Sequence, residues 1–221
     1  MDKLGEYSQF FHDISINNKM KNNININTQN HIINLSSELG NQNYNLNFSI
    51  KSLNGDSNYK DGILIEEVSS ESIIKISDQI LNHLEFGSLK TFSRIGFRCL
   101  ILVEEEKFNY EGIKNILLNQ NKTMSDIIQN TFSKPNDIAI VFEALDDNTF
   151  LNIQFGPYRE REREKYFYYQ PKAKEALILD IDLFQRDIEI PQFKLLNFIK
   201  YQSIKMKDIT MGIRNGLKES L

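Results

Sequence analysis

The stretch Thr91-Phe-Ser-Arg-Ile-Gly-Phe-Arg-Cys-Leu-Ile-Leu-Val103 constrains the fold more than any other in the chain. From Ile95 to Val103 the odd positions are Ile, Phe, Cys, Ile and Val, and Leu100 and Leu102 add apolar groups to the other side. Successive side chains of a strand point to opposite faces. The pattern therefore predicts a strand that runs from the wetter end of a sheet into its middle. β-Branched and aromatic residues suit that setting, and Gly96 marks a bulge or a close backbone approach. The period of two and Gly96 argue against a helix.

Before this stretch the chain is polar and alternating. Ile24 and Ile26 are separated by asparagines, His31 to Leu35 reads as a strand, and Glu38 to Asn43 as a turn. Tyr44, Leu46, Phe48 and Ile50 give a half-buried strand, whose expected partner is Gly62 to Val68 across a polar connection from Asn54 to Asp61. The first 68 residues thus read as an antiparallel meander, with residues 2 to 13 either a short helix or an extended arm. Ser69 to Leu84 changes to helical period, with Ser70 as N-cap.

After the organising strand, Tyr110 to Leu118 and Ser125 to Phe132 read as helices. Ile138 to Phe142 and Phe150 to Phe155 flank Asp146-Asp-Asn148 as a hairpin that Gly156-Pro157 ends. Ala176 to Phe184 reads as the last strand. Pro191 then opens a helix whose stripe, Leu195, Ile199, Met206 and Ile209, is interrupted by Gln202. Strands and helices arrive in runs rather than as βαβ units. The expected class is α+β, with largely antiparallel sheet and helices packed on one face. The expected division is residues 1–68, the meander, and 69–221, the main part, within 221 residues that suffice for one continuous domain.

A net charge of −4 gives no general attraction to nucleic acid or anionic membrane. The single cysteine, Cys99, excludes an internal disulfide and lies in the most apolar strand, where an inert thiol is expected. No run of 18 apolar residues occurs, and the first residues lack a signal-peptide pattern. A soluble cytoplasmic protein is the expectation. His12, His31 and His83 show no metal-ligand spacing, and there is no Walker loop, GxGxxG or GxSxG; no cofactor is expected.

Arg94-Ile-Gly-Phe-Arg98 resembles the RIGLRY-like strand of the bacterial family described as sporadically distributed proteins, and Leu179-Asp-Ile-Asp-Leu183 is similar to that family's LDID-type strand. Phe193 to Lys207 followed by Asp208-Ile-Thr210 stands where those proteins carry a helix and a short Ile-Thr segment. The resemblance spans residues 85 to 215; the chain departs from it at Cys99, where the family has an aromatic residue, and lacks the Asn that follows. The resemblance implies a mobile or accessory role in bacteria, linked to defence or toxin systems, and no particular chemistry.

Three groups of residues are candidates for binding. Asp180 and Asp182, two apart on a strand, send their carboxylates to one face about 7 Å apart, a spacing able to hold a divalent metal or divide acid and base duties. No third ligand is evident, so the metal remains unassigned. Arg94 and Arg98 share a strand face and offer bidentate forks to an anion, an acidic partner or, across the sheet, the two aspartates.

Arg159, Arg161 and Arg163 alternate with glutamates just before Tyr166, Tyr168 and Tyr169. Basic groups beside stacking rings suit single-stranded nucleic acid, although the acids cancel most of the field. Seven consecutive charges from Arg159 to Lys165 resist burial, so the segment from Tyr158 to Lys174 is expected to project as an arm or long loop. The leading expectation is a non-enzymatic interaction or regulatory protein with a protein partner or a second copy of itself. The alternatives are a metal-dependent phosphodiesterase or nuclease using the paired aspartates, and a single-stranded nucleic-acid-binding protein.

Overall fold

A computed structural model describes residues 9–10, 12–13, 16–17, 21–27, 32–39, 42–49, 52–59, 62–65, 67–83, 90–132, 135–167, 173–190 and 193–220. The class is α+β. Two compact units are present, Met1–Glu85 with Lys194–Leu196, and Phe86–Phe193 with Asn197–Leu221.

The first unit holds an antiparallel meander of β1 (Lys21–Asn27), β2 (Ile32–Leu39), β3 (Gln42–Ser49) and β4 (Ser52–Tyr59), in that spatial order. Register aligns Ile24 with Leu35, Leu35 with Leu46, and Phe48 with Leu53, so the apolar positions share one face. The other face carries asparagine rows: Asn25, Asn34, Asn47 and Asn54 line up across all four strands. One apolar and one amide-bearing face is what the Asn-Ile alternation encodes.

The partner of β3 is not Gly62 to Val68 but the polar stretch Ser52–Tyr59, and residues 62–64 lie outside any regular element. A wet-faced edge strand needs only alternation and free backbone groups. The apolar run at Ile63 to Val68 was therefore the wrong cue. A 3-10 turn, Val68–Ser70, precedes α1 (Ser72–His83), so Ser70 bonds back to the Glu67 carbonyl instead of capping the helix. The His83 ring stacks on Phe10 at 3.7 Å.

The second unit holds β5 (Thr91–Val103), β6 (Ile140–Asp146), β7 (Thr149–Arg159) and β8 (Glu175–Glu189) in the antiparallel order β5-β8-β7-β6. Among the described residues four helices complete it: α2 (Tyr110–Gln120), α3 (Lys122–Thr131), the single turn α4 (Arg163–Tyr166) and α5 (Leu195–Ser220), the last belonging to this unit from Asn197 onward. The organising strand, β5, lies at an edge of this sheet, and β8 and β7 are its inner strands. On β8 the residues Leu177, Leu179, Ile181 and Leu183 are essentially inaccessible, facing Ile153 and Phe155 of β7. Each such side chain contributes roughly 1.5–3 kcal/mol by leaving water.

Helix α2 covers β7 and β8 with Ile113 and Leu117 buried. Its Asn109 cap accepts from Gly112 N, and the Glu175 carboxylate accepts from Tyr110 N at 2.9 Å. Helix α5 buries Phe198, Ile199 and Met206, and is tied down by Lys205 to Asp146 and by Arg214 and Lys218 to Glu105.

Gly156-Pro157 does not end β7; the strand continues to Arg159. Past Phe155 only β8 pairs with it, a setting that tolerates proline. A Cβ on Gly156 would stand 2.7 Å from the Ile138 carbonyl oxygen, so glycine is there for close backbone approach. Pro191 lies outside the described residues. No helix among them is long and apolar enough to cross a membrane.

Candidate interaction face

The period of two that buries one face of β8 sends Asp180, Asp182, Phe184 and Arg186 to the other. Pairing sets Arg98 opposite Asp182 and Leu100 opposite Asp180, with Asn152 and Gln154 of β7 beyond. The arginines therefore reach diagonally. Arg94 Nη2 donates to Asp182 Oδ2 at 2.7 Å, while Arg98 donates through Nε and Nη2 to the two oxygens of Asp180 at 2.7 and 2.5 Å.

The four candidates from β5 and β8 thus meet, as two ion pairs lying flat on the sheet, beyond the end of this face where Tyr166 and Phe167 pack onto Leu102 and Ile178. The hydrogen bonds and charge of Asp180 push the Arg98 pKa above its ordinary value. Both arginines remain half or more exposed, so each pair contributes about 0.2–1 kcal/mol.

Beside the pairs lies an aromatic stack. Phe150 and Phe184 are 5.0 Å apart and nearly parallel. The Arg94 guanidinium sits 4.4 Å above Phe184, and Arg186 lies over both rings at 5.0 and 5.5 Å. Gly96, opposite Phe184, makes room for this: a Cβ there would stand 3.2 Å from Arg94 Nη1. Glycine on this strand thus serves a close side-chain approach. Leu100, Val141 and Leu145 complete the face with exposed apolar groups.

Phe150, Phe184 and Arg186 were not singled out as site residues from sequence. The sequence carries the signal as Asp180-x-Asp182-x-Phe184-x-Arg186, which a strand predicted to end at Phe184 cuts short of Arg186.

The third group of candidates is dispersed. Tyr158 is fully buried and packs with Ala173, Ala176 and Ile178, and Tyr166 and Phe167 fold onto that cluster. Over its described part the segment therefore does not project as an arm. Glu160, Arg161, Glu164 and Lys165 stay exposed along a 3-10 turn and α4, Arg159, Glu162 and Arg163 are half-buried, and the rings turn inward. Arg159 pairs with Glu162 at 3.3 Å and lies 4.0 Å over the Tyr110 ring; Arg163 reaches Glu164 at 3.5 Å; Arg161 is exposed. Tyr168 and Tyr169 lie outside the described residues.

Cys99 faces the helix side of β5, and burial, helped by the Asp180 charge, pushes its thiol up to about 12. Among the described residues no group of three His, Cys, Asp or Glu side chains could hold a metal ion. His12 and His83 are exposed, and His31 lies outside the described residues.

These features define an α+β protein with an antiparallel sheet whose open face carries matched ion pairs and arginine-capped phenylalanines. Comparison with family models, curated proteins and solved structures gave no match.

Proposed function

We propose that the chain is a non-enzymatic interaction protein that receives a protein partner on the open face of its second sheet. The observation that carries this reading is the half-buried Phe150–Phe184 stack beneath Arg94 and Arg186, beside exposed apolar groups on the same face. Aromatic and arginine side chains supply most hot-spot energy in protein interfaces, and the exposed Leu100, Val141 and Leu145 widen the apolar centre. The resemblance of Arg94 to Arg98 and Leu179 to Leu183 to the sporadically distributed family supports an accessory role in bacterial defence or toxin systems.

Metal-dependent phosphodiester chemistry has weaker support, because the oxygens of Asp180 are both engaged by Arg98 and Asp182 is engaged by Arg94. The test is affinity capture from the native host with the wild-type chain and a Phe184→Ala/Arg186→Glu variant shown to fold by circular dichroism. Capture of a defined protein by the wild type alone is expected. Capture indifferent to the variant refutes the face. Saturable binding of a single-stranded oligonucleotide, lost in the variant, would replace the protein partner. A melting-point rise in Mg²⁺ or Mn²⁺ that Asp180→Ala abolishes would favour the phosphodiesterase reading instead.

A further inference from the structure

An antiparallel sheet that does not close has two edges, and an unprotected edge strand is a template for another strand. The described edges differ in how they are guarded. In the first unit β1 carries Lys21 and its asparagines, and β4 carries Gly55 and Asp56. In the second unit β5 carries Arg94 and Arg98. The remaining edge, β6, reads Ile-Val-Phe-Glu-Ala-Leu-Asp, with no proline, no lysine or arginine, and two charges, Glu143 and, at the turn, Asp146.

Val141 is 58% exposed, Phe142 55% and Leu145 61%. With Asp146 and Thr149 closing a two-residue hairpin, Val141, Glu143 and Leu145 direct their N–H and C=O groups away from β7, to the open side. Helix α5 continues the apolar surface beside this strand. Lys205 bonds Asp146 at 2.7 Å, and Tyr201 and Ile204, next to Lys205 on the helix, are both more than half exposed.

We propose that β6 is the seam of a homodimer, in which β6 pairs antiparallel with β6 of a second copy about a two-fold axis at Phe142, extending the sheet to eight strands. A second copy is the occupant because the strand complements itself in this register. Phe142 meets its own mate at a non-hydrogen-bonded position, where side chains approach most closely. Val141 lies opposite Glu143 of the other copy, and Ile140 opposite Ala144. A two-fold at Glu143 would set the two glutamates against each other, which like-charge repulsion disfavours. Closed two-fold pairing also occupies Ile140 to Ala144 of both copies at once and leaves no run of the strand long enough to propagate. The seam is the strand's backbone edge and goes beyond the partner-binding face, whose test uses Phe184 and Arg186.

The register gives a test by charge sign. Light scattering on the full chain across a concentration series should give a particle of twice the 25.9 kDa chain mass. Val141→Glu, which sets two glutamates opposite each other twice, should halve that mass. Val141→Lys places lysine opposite Glu143 of the mate and should keep the dimer, with weakening as salt is raised. Circular dichroism checks that both variants fold. A monomeric wild type overturns the proposal, as does a dimer that both substitutions abolish or neither affects.

Discussion

Gln202 sits on α5 among Phe198, Ile199 and Met206 and is wholly inaccessible, yet neither its Oε1 nor its Nε2 has a hydrogen-bond partner among the described residues. A buried amide without partners forfeits roughly 1–3 kcal/mol of solvation. Methionine has similar length and helix propensity and carries no polar group, so Gln202→Met removes that cost with less than about 1.5 kcal/mol of repacking. The net gain, up to about 3 kcal/mol, should raise the melting temperature by up to roughly 12 °C for a chain of this size. Urea unfolding should show a higher midpoint at unchanged slope.

Gln202→Glu checks the environment by the opposite route. Desolvation raises a buried carboxyl's pKa above its unfolded value of about 4.3. Its folded form is then favoured below that value and loses stability as pH rises towards the raised pKa. The Glu variant should match the wild type best near pH 4 and fall furthest behind it near pH 8. A destabilised Met variant, or a Glu variant with no pH-dependent deficit, would refute the claim that the amide is unsatisfied.

Three further outcomes are expected. A double-mutant cycle on Arg98→Ala and Asp180→Ala, read by urea unfolding, should give a coupling of about 0.2–1 kcal/mol that shrinks with salt; zero coupling at low salt would deny the pair. Gly156→Ala should destabilise by about 1–3 kcal/mol, because the Ile138 carbonyl leaves no space for the methyl group, and a neutral result would show that the backbone yields there. With its thiol raised to about 12, Cys99 should resist alkylation in the native protein at pH 8 and react on unfolding. The folded value exceeds the unfolded one, so its contribution to stability is full below about pH 8.5 and declines as pH rises from there towards 12, a decline that Cys99→Val should remove.

The faces of the strands were legible in the sequence; their neighbours were not. Period two assigned Leu179, Ile181 and Leu183 to one side of β8 and Asp180 and Asp182 to the other, because pleating alone decides that. It also put Arg94 and Arg98 on a common face, from which both reach the aspartates across one register. Hydropathy misplaced the partner of β3, since Ser52–Tyr59 pairs through backbone groups that polarity does not record. The aromatic run after Lys165 looked like a free surface because a string of charges and a string of rings were read as one segment. A short turn lets Glu160, Arg161, Glu164 and Lys165 stay in water while Tyr166 and Phe167 pack inward.

The position of β5 shows what limits such reading. Apolar groups on both faces suggested a strand running into the middle of a sheet, yet among the described residues β5 pairs with β8 alone. Its second apolar face is used another way: Leu102 packs against the cluster of Tyr158, Ala173, Ala176 and Ile178, together with Tyr166 and Phe167 from the segment after β7. Cover by a returning segment and cover by a sheet interior leave the same hydropathy pattern, because burial records loss of water and not the identity of the neighbour. What separates the two settings is charge on the strand itself. Arg94 and Arg98 are tolerable where an edge opens to solvent, and there they also discourage further pairing while anchoring β5 to Asp182 and Asp180. The residues that make the candidate face are thus the ones that keep β5 a terminus of the sheet, and β6, without such charges, is left as the edge open to association.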